Sequence, residues 1–355
     1  MEKIPPAIQP VKNTALSDQI QAHLDFLTKP KGSLGRLEEL ALQYCLCRKS
    51  AKPSIKTAAV YTFAGDHGIT EEGIAPYPKE VTPQMVLNMT GGGAAVSVMS
   101  KNAGIRDFVV DMGVDFDFPD HPKLFKRKVG RGTRNFLKGP AMTGYECTQA
   151  MSAGFDLAMD SGCDLLGVGE MGIGNTTSAS ALYALLLNID PETTVGAGTG
   201  ASGDLLKHKT RVIRDAVEMH RKEWDKTPMD ALCRVGGFEI AGMAGFIMGA
   251  AAAGIPVAVD GFIASAAAAV AMAMTPNLKD YLVFSHKSSE RFHGGYFDLI
   301  GVKPVLDLGM RLGEGTGAVL AMQIVMQAMN CYHQMATFAS AGVSEEKGQQ
   351  EKINV

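Results

Sequence analysis

The segment Gly169-Glu170-Met171-Gly172-Ile173-Gly174-Asn175-Thr176-Thr177 constrains the fold more than any other stretch of this chain. It joins a short apolar run, Asp164 to Val168, that reads as a buried strand to a run, Ser178 to Leu187, that reads as a helix. A strand passing through a glycine turn into a helix is the repeating unit of a parallel sheet. The same turn suits an anion. Glycines let backbone N–H groups come close, Asn175, Thr176 and Thr177 can cap the helix start, and the helix N-terminus carries partial positive charge. Taken alone, a Gly-x-Gly turn fits a phosphate cradle and an ordinary tight turn about equally well.

Further short runs end in glycine or acidic residues: Thr57 to Phe63, Arg106 to Asp111, Pro256 to Val259, Tyr281 to Phe284 and Pro304 to Leu308. Helical patterns separate them at Met85 to Ser100, Tyr145 to Ser161, Asp204 to Lys222 and Phe238 to Ala253. This alternation predicts an α/β fold with a mostly parallel sheet covered by helices on both faces. Ligands then bind beyond the carboxyl ends of the strands. The loops there are Gly65-Asp66-His67-Gly68, Gly169 to Thr177, Asp260-Gly261, Ser285-His286-Lys287-Ser288 and Gly309 to Gly317. Helices at Leu16 to Leu27 and Gly317 to Met329 lie outside the alternation and are expected to pair as a small helical domain. The expected divisions are 1–28, 29–316 and 317–355, with a solvated tail after Val343.

Composition removes several classes. Hydrophobic residues make up 46% and charged residues 20%, which suits a globular chain with a large core. A net charge of -3 offers nothing to nucleic acid or an anionic membrane. The alanine- and glycine-rich stretches Ile240 to Val259 and Gly261 to Met274 are broken by Asp260 and by Gly254-Ile255-Pro256, so they read as buried helices rather than membrane spans. Six scattered cysteines and a start without a cationic, apolar leader fit a reducing cytoplasm. Cys45 and Cys47 have no second ligand pair, and no HExxH or paired Cys/His spacing accompanies His67 or His286. No metal or cofactor is expected, and both histidines read as hydrogen-bonding residues.

Several segments together resemble one family, the nicotinate-nucleotide:dimethylbenzimidazole phosphoribosyltransferases. They are Lys29-Pro30-Lys31-Gly32-Ser33-Leu34-Gly35, Ala64 to Gly68, Tyr77-Pro78-Lys79-Glu80-Val81-Thr82-Pro83-Gln84-Met85-Val86 and Gly169 to Thr177. Gly198-Thr199-Gly200, Val257 to Phe262, Ser285-His286 and Leu312-Gly313-Glu314-Gly315-Thr316-Gly317 continue the match along nearly the whole chain. The resemblance implies a Rossmann-like sheet with a small helical domain, working as a homodimer. It also implies transfer of phosphoribose from nicotinate mononucleotide to 5,6-dimethylbenzimidazole.

The resemblance assigns Glu314 as the catalytic base and places Glu170 at the nucleotide site. Gly172, Gly174, Asn175, Thr176, Thr177, Gly198, Thr199 and Gly200 would hold phosphate and ribose. Lys209 would add charge there, with Lys207 near enough in sequence to compete for that role. Pro76, Tyr77, Gln84 and Met85 match the segment that lines the base slot. The family segment often carries a serine near Ala75 or Pro76, absent here, which leaves benzimidazole, purine and phenolic acceptors open. A transferase with another acceptor, a hydrolase using water and a non-catalytic nucleotide-binding protein are the competing readings.

Overall fold

The computed structural model describes residues 7–198 and 200–344. Its sheet contains β1 (Ala58–Gly65), β2 (Arg106–Gly113), β3 (Leu124–Lys126), β4 (Leu165–Met171), β5 (Val257–Val259) and β6 (Leu282–Phe284). The strands lie in the order β3-β2-β1-β4-β5-β6 and every pairing is parallel. Chain order reverses between β1 and β4, and a crevice opens beyond their carboxyl ends.

The helices before the middle of the chain are α1 (Thr14–Phe26), α2 (Arg36–Cys47), α3 (Val81–Thr90), α4 (Ala95–Ala103), α5 (Gly144–Met159) and α6 (Asn175–Leu186). Those that follow are α7 (Pro191–Thr194), α8 (Gly203–Glu223), α9 (Pro228–Val235), α10 (Phe238–Ala252), α11 (Phe262–Met274), α12 (His293–Ile300), α13 (Thr316–Gln334) and α14 (Phe338–Ala341). Local chemistry sets several boundaries. Thr143 and Glu146 form a reciprocal capping box at the start of α5. Thr227 caps α9 ahead of Pro228, which sits where its missing N–H is not needed.

Side chains alternate between the two faces of the sheet. On β1, Ala59, Tyr61 and Phe63 enter a core shared with α5, α6, α10 and α11, whereas Ala58, Val60 and Ala64 enter a second core shared with α1, α2, α3, α4 and α13. Covered on both sides, the strands read as continuous apolar runs. Every residue of α10 from Phe238 to Ala251 is buried, which explains why that helix is apolar all round without crossing a membrane. Among the described residues no helix is long and apolar enough to span one.

Three features depart from the sequence reading. The helix expected over Met85 to Ser100 is two, α3 and α4, because Gly91-Gly92-Gly93 ends the first and Gly92 takes a φ of +84°. The strand expected at Pro304 to Leu308 shrinks to one parallel bridge between His286 and Leu306, since Pro304 has no N–H to give and Leu308 is exposed. Strand β3 went unexpected because its three residues lie on a half-exposed edge with no apolar run. The tail after Val343 lies almost wholly outside the described residues. At the chain ends, Leu27 and Thr337 form an antiparallel bridge, and Thr28 N–H donates to the Ala336 carbonyl at 2.9 Å. Helix α13 also lies on the sheet, where Ala318 and Met322 pack over Gly167.

The tightest helix contact is between α5 and α10. A Cβ at Gly154 would stand 1.9 Å from the Gly242 carbonyl oxygen, and one at Gly245 would stand 1.9 Å from that of Met151. Gly154→Ala or Gly245→Ala is expected to cost about 1–3 kcal/mol through overpacking. Urea unfolding measures it, and wild-type midpoints in both variants would show that the helices do not meet this closely.

Candidate active site

Glu170 ends β4, and the turn after it places Gly174 in the left-handed region as the cap of α6. Asn175 Nδ2 donates to Glu170 Oε2, and Ile173 N–H donates to Thr82 Oγ1 at 3.1 Å, tying the turn to the first residues of α3. Glu170, Gly172, Asn175, Thr176 and Gly198 line one narrow cleft, together with His286, Glu290, Arg311 and Gly313. The cleft sits at the strand ends, as the sheet topology requires.

Lys209 supplies the buried cation. Its Nζ donates to Thr176 Oγ1 at 2.9 Å and to the Gly196 carbonyl at 3.4 Å, with the side chain 2% exposed. Burial lowers its pKa to about 8, with Glu290 working against that shift. Lys207, by contrast, is exposed and pairs with Asp204 at 3.1 Å. The sequence held the signal that separates the two: Lys209, Val212, Ile213, Ala216, Val217 and His220 all fall on the buried stripe of α8 at helical spacing.

Glu314 follows Gly313 at the edge of the crevice, but its own side chain is not among those that line the cleft. It precedes α13 with a φ of +65°, between Gly313 at +84° and Gly315 at +96°. A left-handed glutamate costs energy and persists only where its surroundings hold it. Four contacts do so. Its N–H donates to the Glu170 carbonyl at 3.1 Å, and its carbonyl accepts from Thr62 Oγ1 at 2.6 Å. The Asp260 carboxylate accepts from Gly315 N–H at 2.9 Å and Gly317 N–H at 2.7 Å. Close approach is possible because β4 is bare there: a Cβ at Gly169 would stand 2.2 Å from the Gly315 nitrogen. The Glu314 side chain is buried, its Oε2 has no partner among the described residues, and its carboxyl lies near the Val96 N–H at the start of α4, which works against the rise in its pKa. Burial raises its pKa, and Asp260 adds to the rise.

Not every expected residue joins this cleft. Thr177 is fully buried behind it, with its hydroxyl unpartnered among the described residues, and Gly200 is exposed on the turn beyond Gly198. Thr199 lies outside the described residues. Pro76 and Tyr77 line a separate surface groove with Thr70 and Glu71, and Tyr77 is exposed. Gln84 is exposed on α3, whereas Met85 packs against the apolar core that includes Val86, Met89 and Val96. His67 donates from Nε2 to Glu239 at 2.7 Å and accepts at Nδ1 from Ser178 at 2.9 Å, within the core beneath the turn. Among the described residues no group of three or more His, Cys, Asp or Glu is arranged to hold a metal ion. Asp260 and Arg311 fall in loops read as facing the ligand but carried no assigned role, and Glu290 was not singled out.

A sheet of this order, with a helix N-terminus and Glu170 at one crevice and the buried Lys209 on Thr176 behind it, suits an anionic ligand. The comparisons agree: a family profile described as phosphoribosyltransferase matches residues 8–343. The chain is 50% identical over 341 residues to the nicotinate-nucleotide–dimethylbenzimidazole phosphoribosyltransferase of Chlorobaculum tepidum, covering 95% of this chain and 96% of that one. It is 52% identical over 349 residues to the protein of the same name from Chlorobium chlorochromatii, covering 98% of each. A crystal structure of CobT from Thermus thermophilus superposes with a TM-score of 0.89 at 42% identity, covering 94% of this chain and all of that one. This chain therefore belongs to the nicotinate-nucleotide–dimethylbenzimidazole phosphoribosyltransferase family, and it is an enzyme of the transferase class.

Burial raises the pKa of Glu170 to about 8, with Asp260 adding to the rise and the Asn175 hydrogen bond opposing it. Its ordinary value is 4.5, so the folded chain holds this proton more tightly than the unfolded chain. The stability it contributes is complete below pH 4.5 and is lost as pH rises through about 8. Unfolding free energy followed from pH 5 to 8 is expected to decline less steeply in Glu170→Gln than in wild type. Parallel profiles would show that Glu170 titrates normally.

Proposed function

We propose that this enzyme transfers the 5-phosphoribosyl group of nicotinate mononucleotide to 5,6-dimethylbenzimidazole. The products are nicotinate and α-ribazole 5′-phosphate, the nucleotide of the cobalamin lower ligand. The observation that carries this reading is the position of Glu314. Its backbone is bonded to Glu170 in the nucleotide cleft, while its carboxyl faces the α4 terminus and the core into which Met85 packs.

The chemistry needs one base. Nicotinate departs from C1′ as a pyridinium nitrogen that takes the bonding electrons and becomes neutral, so no acid is required. One ring nitrogen of the benzimidazole forms the new bond to C1′, and the proton on the other passes to Glu314. A carboxyl raised by burial is a better proton acceptor at neutral pH than an ordinary one. Glu170 holds the ribose, and the turn Gly172-Ile173-Gly174-Asn175-Thr176, the N-terminus of α6 and Lys209 hold the phosphate. Gly198 lines the same cleft, and the acceptor is proposed to meet Pro76, Tyr77, Gln84 and Met85, of which Pro76 and Tyr77 line a neighbouring groove.

We further propose that the chain-end segments 1–28 and 317–355 act as one helical unit beside 29–316, which the Leu27–Thr337 bridge supports. A homodimer is supported by the exposed apolar side chains Phe26, Leu87 and Val98 on α1, α3 and α4. A cytoplasmic setting is supported by six free cysteines, five of them buried.

Incubation with nicotinate mononucleotide and several bases, followed by product mass and anomeric configuration, tests the reaction. Attack opposite the leaving nicotinate gives the α-nucleotide. Ribose 5-phosphate as the product would indicate a hydrolase, and binding without nicotinate release would indicate a nucleotide-binding protein. Glu314→Gln is expected to lower kcat at least about a hundredfold, and near wild-type turnover in the folded variant would remove it from the mechanism. Lys209→Ala is expected to raise the KM for the nucleotide far more than that for the base. An unchanged nucleotide KM would move the phosphate elsewhere.

A further inference from the structure

Glu290 follows Ser285-His286-Lys287-Ser288-Ser289, reads in sequence as a loop residue, and has no part in the chemistry above. The structure buries it to 7% exposure on the wall of the nucleotide cleft. Its place is prepared by glycine, since a Cβ at Gly196 would stand 1.9 Å from Glu290 Oε2. The loop that carries it is fixed by a neutral imidazole. His293 Nδ1 accepts from Ser288 N–H at 2.9 Å, which leaves Nε2–H to donate to Ser265 Oγ at 3.0 Å. Burial holds the pKa of His293 down near 3, so this tautomer persists.

The carboxyl itself is poorly satisfied: Oε2 is buried with no partner among the described residues, and the nearby Gly198 N–H only partly offsets the effect of burial. Lys209 and Arg311 are the charged groups that face it. Neither closes on it within ion-pair distance: Lys209 Nζ instead engages Thr176 Oγ1 and the Gly196 carbonyl, and Arg311 donates to the Gly198 carbonyl at 3.3 Å. Burial outweighs these partners and pushes the pKa of Glu290 up. Glu290 and Arg311 thus line the cleft beside Thr176 and Gly198, with Lys209 Nζ held on Thr176 behind that wall.

We propose that Glu290 meets the donor's 5′-phosphate as a neutral acid, donating its carboxyl proton in a hydrogen bond, and that it makes the cleft select the phosphorylated donor over its riboside. A protonated carboxyl has one O–H donor, and a phosphate offers only acceptors. Bonded to an anion, that hydrogen bond is among the stronger kinds. Ionised, the same group would repel the phosphate and offset Lys209. The inference rests on the proposed reaction only for the identity of the nucleotide.

Calorimetric binding at pH 7 of nicotinate mononucleotide and of nicotinate riboside to wild type, Glu290→Gln and Glu290→Met tests it. Both substitutions keep the volume, and Gln keeps a donor without a charge. Gln is expected to hold nucleotide affinity within about threefold and Met to weaken it at least about tenfold, with riboside affinity alike in all three. Equal losses in Gln and Met would show that the ionised form is needed. Wild-type affinity in Met, or parallel losses for nucleotide and riboside, would likewise overturn the assignment. Wild type that binds nicotinate mononucleotide yet makes no α-nucleotide would refute the proposed reaction and leave the role of Glu290 standing.

Discussion

Asp260 is the interaction on which the site depends. Its two carboxylate oxygens accept from three backbone N–H groups, those of Gly315, Gly317 and Ala318, at 2.7–3.1 Å. These N–H groups open α13 and have no partner within it, so the carboxylate satisfies them and complements the positive end of the helix. Hydrogen bonds to a charged acceptor contribute about 1.5–3 kcal/mol each. The bonds draw α13 onto the end of β4, where Gly167 and Gly169 leave room, and they fix Gly313-Glu314-Gly315 in left-handed backbone. The strain at Glu314 is held by this arrangement, and strain of that kind gathers at functional positions.

A second constraint follows from how many acids are buried together. Glu170 and Glu290 line one crevice and Glu314 lies near Glu170, with Lys209 buried behind Thr176, and burial raises all three carboxyls. A cluster of ionised carboxylates would exclude a phosphate. Burial shifts each of them toward the neutral form, in which a carboxyl can donate a hydrogen bond, while a raised carboxyl that is ionised is a stronger base than an ordinary one.

Much of this was legible in the sequence where the signal was local. The strand, turn and helix around Gly169 to Thr177 occur as read, as does the parallel sheet, because buried strands and glycine turns announce themselves over a few residues. Lys209 was readable in principle from the buried stripe of α8. Glu290 was not, because its burial depends on Gly196, far away in the chain. Asp260 stood out as the end of a strand, yet its partners begin beyond residue 313, and no local pattern joins them. Tyr77 matched a family segment but sits in a separate groove, since sequence order says nothing of the path a loop takes between β1 and α3.

The docking of α13 has a consequence for how the polypeptide comes to life on the ribosome. Strands β1 to β4 are translated well before Asp260 and α13, so a nascent chain carries a bared backbone furrow at Gly167 and Gly169 until Ala318 and Met322 arrive to fill it. A polypeptide stalled short of residue 316 leaves that furrow uncovered by α13.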